Sequence, residues 1–398
     1  MAVNEILQQI DALTAEGRLD DALQELARYF EAEKKYHELF EVLKMQIRLR
    51  LGLTPAQAEP EARMDEQREL ELERGLLDAC RRVGELLVRD GRIREGWMYL
   101  RPIGDRQSAA AVFADVEATD ENLDELLEVL LQEGVDIRRG YALALERLGT
   151  CNSITMFESA LGMRPRQDQQ IAAELLVRHV HGELIENVRR DIEQREGAPP
   201  AEQTLEEMLA ARPELLRDGT YHLDTSHLAS TVRFARVLDE RQPLELARDI
   251  AVYGKQLHPQ YHYPGEEPFL DLYPASIALF DALLGRRVDA GIRYFTHKAD
   301  TVDQQQFGTV AVEVLIDLLS RVGRHEQALE EYRKRIPANA RTMGIAPTLL
   351  QLSQRMGDFE KMRAICAERD DVLGYAAASL TGAHRQSTEQ SQSDQATV

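Results

Sequence analysis

Cysteine is scarce in this chain: Cys80, Cys151 and Cys366 are spread through 398 residues. They form no CxxC and no close pair, which excludes a disulfide framework and a Cys-rich zinc site and fits a reducing cytoplasm. No apolar run approaches the roughly 20 residues of a membrane span. The opening MAVNEILQQIDAL places acidic residues early and has no basic stretch followed by an apolar core, so no signal peptide is expected. Basic residues are in short supply, 48 Lys and Arg against 69 Asp and Glu, for a net charge of −21. That balance argues against nucleic acid or an anionic membrane as partner. The motifs of common enzyme classes are missing too. There is no GxxxxGK[ST], no GxGxxG after a strand, no GxSxG and no Cys/His nucleophile setting.

What is present is helix-forming sequence. Leu, Ala, Glu and Arg abound and aromatics are only 6%, a bias suited to helices packed through aliphatic seams. The chain is long enough for two or three domains or one extended solenoid. Ile6, Ile10 and Leu13 share one helical stripe, and Leu19, Leu23, Leu26 and Phe30 share the next after a turn at Glu16 and Gly17. A third helix is expected over 36–51. Residues 1–52 therefore read as helical hairpins, and 53–68, with Pro55 and Pro60, as a linker. Residues 69–164 are a helical repeat region in which Trp97 is an interhelical core residue, with ligand stacking as the alternative. Residues 165–300 form a His- and Tyr-rich central region that includes a long helix over 167–196, 301–380 return to repeats, and 381–398 form a polar, disordered tail.

The turns share a spacing. A glycine is followed five positions later by a small or apolar residue, and four beyond that by another apolar one: Gly17, Ala22, Leu26; Gly91, Gly96, Leu100; Gly323, Ala328, Tyr332; Gly357, Met362, Cys366. Glycine permits the left-handed turn between antiparallel helices, and the small residue permits their close approach. Gly323 and Gly357 lie 34 residues apart. The pattern resembles the tetratricopeptide repeat. Val83, Gly84 and Leu87 stand where that family places its first-helix Leu, Gly and aromatic residue, whereas Cys80 replaces its Trp. The resemblance covers the N- and C-terminal parts and implies an all-α fold of stacked antiparallel helix hairpins, a tetratricopeptide-like α-solenoid with an atypical central helical region.

The central region carries the candidate chemistry. His179, His181, His222, His227, His258 and His262 fall within it, and neutral imidazole is a common ligand of divalent metals. On a helix His179 and Glu183 share a face while His179 and His181 do not. In GTYHLDTSHLASTVRFAR, Asp224 or Thr225 is the expected N-cap, which puts His222 before the helix and His227 in its first turn. His181 or His179 with His222, His227 and Asp224 would supply the ligands of one divalent ion, zinc, iron or manganese, with Glu183 as ligand or catalytic base. Asp224 as a cap and the histidines as structural residues is the competing reading. Tyr261, His262 and Tyr263 lie in a Pro-rich loop that would form a substrate-binding wall or simply pack over helix ends. Arg233 and Arg236 could hold an anion. Two functions stay open: a scaffold that binds a protein or peptide partner, and a metal-dependent enzyme or ligand-binding protein.

Overall fold

The computed structural model describes residues 3–56, 64–338 and 340–396, without the side chains of 218 and 386–396. Among the described residues the regular structure is helical throughout, with no strand. The chain divides into two compact units, Met1–Arg147 and Leu148–Val398.

In the first unit α1 (Val3–Ala15), α2 (Leu19–Ala32), α3 (Tyr36–Arg50), α4 (Glu66–Arg89) and α5 (Ile93–Leu100) each pack on the next, followed by α6 (Arg106–Ala114) and α7 (Leu123–Leu127). Of the expected linker, residues 57–63 lie outside the described residues, and α4 begins within its last part, capped by Asp65 accepting from the Arg68 amide. Leu39, Val83 and Leu87 are fully buried between α3 and α4. Trp97 packs edge-on against Phe113, ring centroids 6.4 Å apart, within a second apolar cluster. α8 (Ile137–Met156) contains the boundary between the units and is interrupted at Gly149, whose φ of 76° is not helical.

The second unit is built on α9 (Arg166–Glu196), which ends at Gly197 in the left-handed conformation. Its residues Ala172, Leu176, Val180, Leu184, Val188 and Ile192 are all fully buried. At four-residue steps they form a single apolar row along a helix about 47 Å long. Then come α10 (Leu205–Ala211), α11 (Thr225–Phe234), α12 (Arg241–Gln256), α13 (Leu272–Leu283), α14 (Val288–Thr301), α15 (Gln304–Phe307), α16 (Val310–Arg321), α17 (His325–Arg335), α18 (Leu349–Met356), α19 (Glu360–Glu368) and α20 (Val372–Ala396). α9 packs against α11 and α12, and from α12 onward the longer helices contact their successors in order. α20 carries helix through 381–396, the stretch read from sequence as a disordered tail. Its opening residues, with Ala376, Ala377 and Ala378, favour helix, and Ala378 is fully buried. Residues 397–398 lie outside the described residues.

One turn recurs. At Gly17, Lys34, Gly91, Gly285, Gly323, Gly357 and Asp370 the residue at positive φ donates its N–H to the carbonyl three residues back, and the next residue donates to the carbonyl five back. This pair of hydrogen bonds closes the helix end, and the next helix starts within a few residues. Glycine occupies all these positions except Lys34 and Asp370 because L side chains rarely adopt that φ.

Ion pairs at one sequence separation recur between α14, α17 and α19 or the residues that flank them. Arg324 pairs with Asp289 at 2.5 Å, Arg335 with Asp300 at 2.6 Å, and Arg333 with Glu368 at 2.9 and 2.5 Å. Lys361 pairs with Glu326 in the same way. Every one of these pairs joins residues 35 apart in sequence. Between α17 and α18 the chain is held from inside by Glu313. Only 1% exposed, its carboxylate accepts from the Thr309 hydroxyl and from the amides of Met343 and Ile345 at 2.8 and 2.9 Å.

Candidate functional site

α9 carries Asn187, Asp191 and Arg195 four residues apart, a polar face near the helix end that meets the loop preceding α11. Asn187 donates to the His222 carbonyl at 2.8 Å, and the His222 side chain is 4% exposed. Tyr253, from α12, accepts the His222 amide at 2.9 Å and lies 2.8 Å from Nδ1, while Nε2 sits 3.0 Å from Asp191 Oδ2. With a neutral imidazole the tautomer follows. The Tyr253 hydroxyl, already accepting from the amide, donates to Nδ1, so the proton is on Nε2 and faces Asp191. Burial works against the Asp191 charge, but Arg195 and His222 together hold its carboxyl below the usual range. Burial also pushes the Tyr253 hydroxyl up.

The other expected ligands face elsewhere. His181 Nε2 lies 3.5 Å from Asp249, and His179 Nε2 lies 3.1 Å from the Thr150 hydroxyl and 3.4 Å from Glu183. Glu183 thus joins His179, as the four-residue spacing required, and Thr150, which donates to it at 3.2 Å. Asp224 is the N-cap of α11, accepting from the amides of Ser226 and His227 and from the Ser226 hydroxyl, which holds its carboxyl below the usual range. His227 thereby falls in the first helical turn. Among the described residues no group of three or more His, Cys, Asp or Glu is arranged to hold a metal ion. His181, His222, His227 and Asp224 form no such group: His222 meets Tyr253 and Asp191, His181 lies beside Asp249, and Asp224 caps α11. Asp191, Tyr253 and Asn187 were not singled out from sequence. The one available signal was the four-residue recurrence of Asn187, Asp191 and Arg195 on the long helix.

The aromatic loop divides. Tyr261 meets Tyr221 edge-on at 5.1 Å, and His262 packs edge-on against Tyr273 at 5.6 Å. Tyr273 fits against α12 only because Gly254 is there: a Cβ would lie 2.3 Å from its ring. Tyr263 instead turns toward α11 and lines a cavity of about 240 Å³. One face of α11 forms a wall of that cavity through Ser226, Ala229, Ser230 and Arg233, spaced for a single helical face. Arg236 follows in a single 3₁₀ turn, and the loop from Tyr263 to Glu266 faces it. Glu266 lines the cavity while its neighbour Glu267 is turned away to Lys298 at 2.9 Å, so the adjacent carboxylates do not act as a pair.

Arg233 pairs with Glu158. Arg236 is different: its guanidinium lies over the Phe269 ring, 3.7 Å from the centroid, and its buried Nε and Nη2 have no hydrogen-bond partner among the described residues. Burial lowers it to about 9, with Arg233 adding to the effect. Arg321 holds the 3₁₀ turn in place by donating to the Arg236 carbonyl at 2.8 Å and to the Leu238 carbonyl.

Compared with protein-family models, curated proteins and solved structures, the chain matches none.

Proposed function

We propose that this protein is a helical-repeat scaffold, a stack of antiparallel hairpins of tetratricopeptide-like kind that binds a protein or peptide partner. The observation that carries this reading is the 35-residue offset of the ion pairs between α14, α17 and α19, joined by one recurring turn geometry. Side chains a constant distance apart in sequence meet when equivalent helices of successive hairpins lie side by side, as in a repeat array. Such arrays present an extended surface, and a net charge of −21 suits a partner with exposed Lys or Arg.

The test is selection of peptides from a random display library on the full-length protein, followed by calorimetry on the enriched peptides. Saturable binding of basic peptides that weakens with salt is the expected result; a library from which nothing saturable is enriched would count against the scaffold. The same preparation, purified without a His tag, is expected to hold no near-stoichiometric metal by elemental analysis. An ion that is present and disappears in the His222→Ala, His227→Ala double variant would return the metal-enzyme reading to first place.

A further inference from the structure

We propose that the outer face of α20 is a self-association surface, on which a second copy of this chain docks antiparallel to form a two-fold dimer. The inference does not depend on the repeat reading. α20 packs on α19 and α18 through small residues four apart: Ala378 is fully buried, a Cβ on Gly374 would lie 2.8 Å from Cys366 Sγ, and one on Gly382 would lie 3.5 Å from Phe359. The opposite face is apolar and uncovered. Val372, Leu373 and Leu380 are 79%, 83% and 71% exposed, and the helical repeat sets them on one stripe with Ala376 and Ala383. No other helix among the described residues exposes more than two large apolar side chains.

Charge decides the occupant. From Val372 to Ala383 the helix carries no Asp, Glu, Lys or Arg, in a chain of net charge −21. A basic peptide would find no carboxylate on this stripe, and an anionic bilayer no Lys or Arg along it. Two copies of so acidic a chain repel each other over most of their surface, and an uncharged apolar stripe is where they can meet. The stripe is also its own complement. With a two-fold axis between Ala376 and Ala377, Leu373 of each copy lies beside Leu380 of the other, and the alanines at the centre let the helices approach. Asp370 and Asp371 stand before the stripe and Arg385 after it, so antiparallel pairing sets acidic ends beside basic ends where parallel pairing would set like charges together. The two copies would bury on the order of 1,000 Å², enough for a reversible dimer and less than an obligate one needs.

Sedimentation velocity on the full-length protein, from about 1 to about 300 μM, reads the assembly. The parent is expected to shift from monomer to dimer across that range. Leu373→Lys and Leu380→Glu, both at exposed positions, should keep the parent's circular dichroism and each weaken dimerisation by about tenfold or more, while Leu7→Glu on α1 should leave it unchanged. Mixing the two α20 variants should restore a dimer, because antiparallel pairing sets the introduced charges opposite each other and keeps one Leu–Leu contact. If either variant loses helix, Leu373→Ser and Leu380→Ser replace them and must weaken the dimer likewise. A parent that stays monomeric at every concentration, a dimer indifferent to the α20 substitutions or broken equally by Leu7→Glu, or a mixture that stays monomeric overturns the assignment.

Discussion

Glu95 shows how a single residue reports on its surroundings. Arg92 and His37 draw its carboxyl down to about 2, His37 from 2.7 Å across the interface between α3 and α5. Because the folded value is depressed from 4.5, the stabilisation is fully present above pH 4.5 and is lost as pH falls toward 2. Glu95→Gln should therefore lower the urea midpoint at pH 7 slightly and leave it nearly unchanged at pH 2, a convergence measurable by denaturation at the two pH values. Equal losses at both would show that the side chain acts through packing and not through its charge. His222 gives the opposite lesson. In sequence it looked available to a metal, yet both ring nitrogens are engaged by Tyr253 and Asp191, residues on helices that only the folded chain brings to it.

Between elements, α4 and α5 approach each other closely at Gly84 and Gly96. A Cβ on Gly96 would lie 2.5 Å from Val88 Cγ2 and 2.9 Å from the Gly84 carbonyl oxygen, and one on Gly84 would lie 2.7 Å from Leu100 Cγ. Alanine at position 96 gains about 1 kcal/mol in helix propensity. Overpacking costs about 1–3 kcal/mol, and here the obstruction includes backbone that yields only if the helices part. The second effect is expected to win, so Gly96→Ala should destabilise by about 1–2 kcal/mol, read from chemical denaturation. A stabilised variant would mean that the helices separate freely. The spacing rule found Gly96 but passed over the turns at Lys34 and Gly285. Lys34 adopts positive φ without being glycine, and after Gly285 the buried small residue is Gly291, one place later than the rule expects, packed on the Ala278 carbonyl.

At the scale of the whole molecule, helix contacts are mostly between neighbours in sequence, so stability is distributed and individual surface pairs count for little. Arg333 and Glu368 are each about half exposed. Solvent screens their bidentate pair, so it stabilises only slightly. Arg333→Glu should lower the denaturation midpoint slightly, and adding Glu368→Arg should recover most of that loss in a double-mutant cycle; no recovery would show that this pair has no energetic role. Among the described residues no helix is long and apolar enough to cross a membrane.

What the sequence determined by itself was local. Helix periodicity, the glycine turns, the Asp224 cap and the end of α9 at Gly197 each depend on residues within a few positions of one another, where spacing alone settles geometry. The pairing of His179 with Glu183 was legible for the same reason. Tertiary structure decided which polar groups were left without partners. His222 is satisfied by residues 31 positions away on either side. Arg236 is turned over Phe269 and left with two buried donors unpaired. Whether a side chain is engaged depends on which helices pack against it, and a one-dimensional spacing does not contain that information.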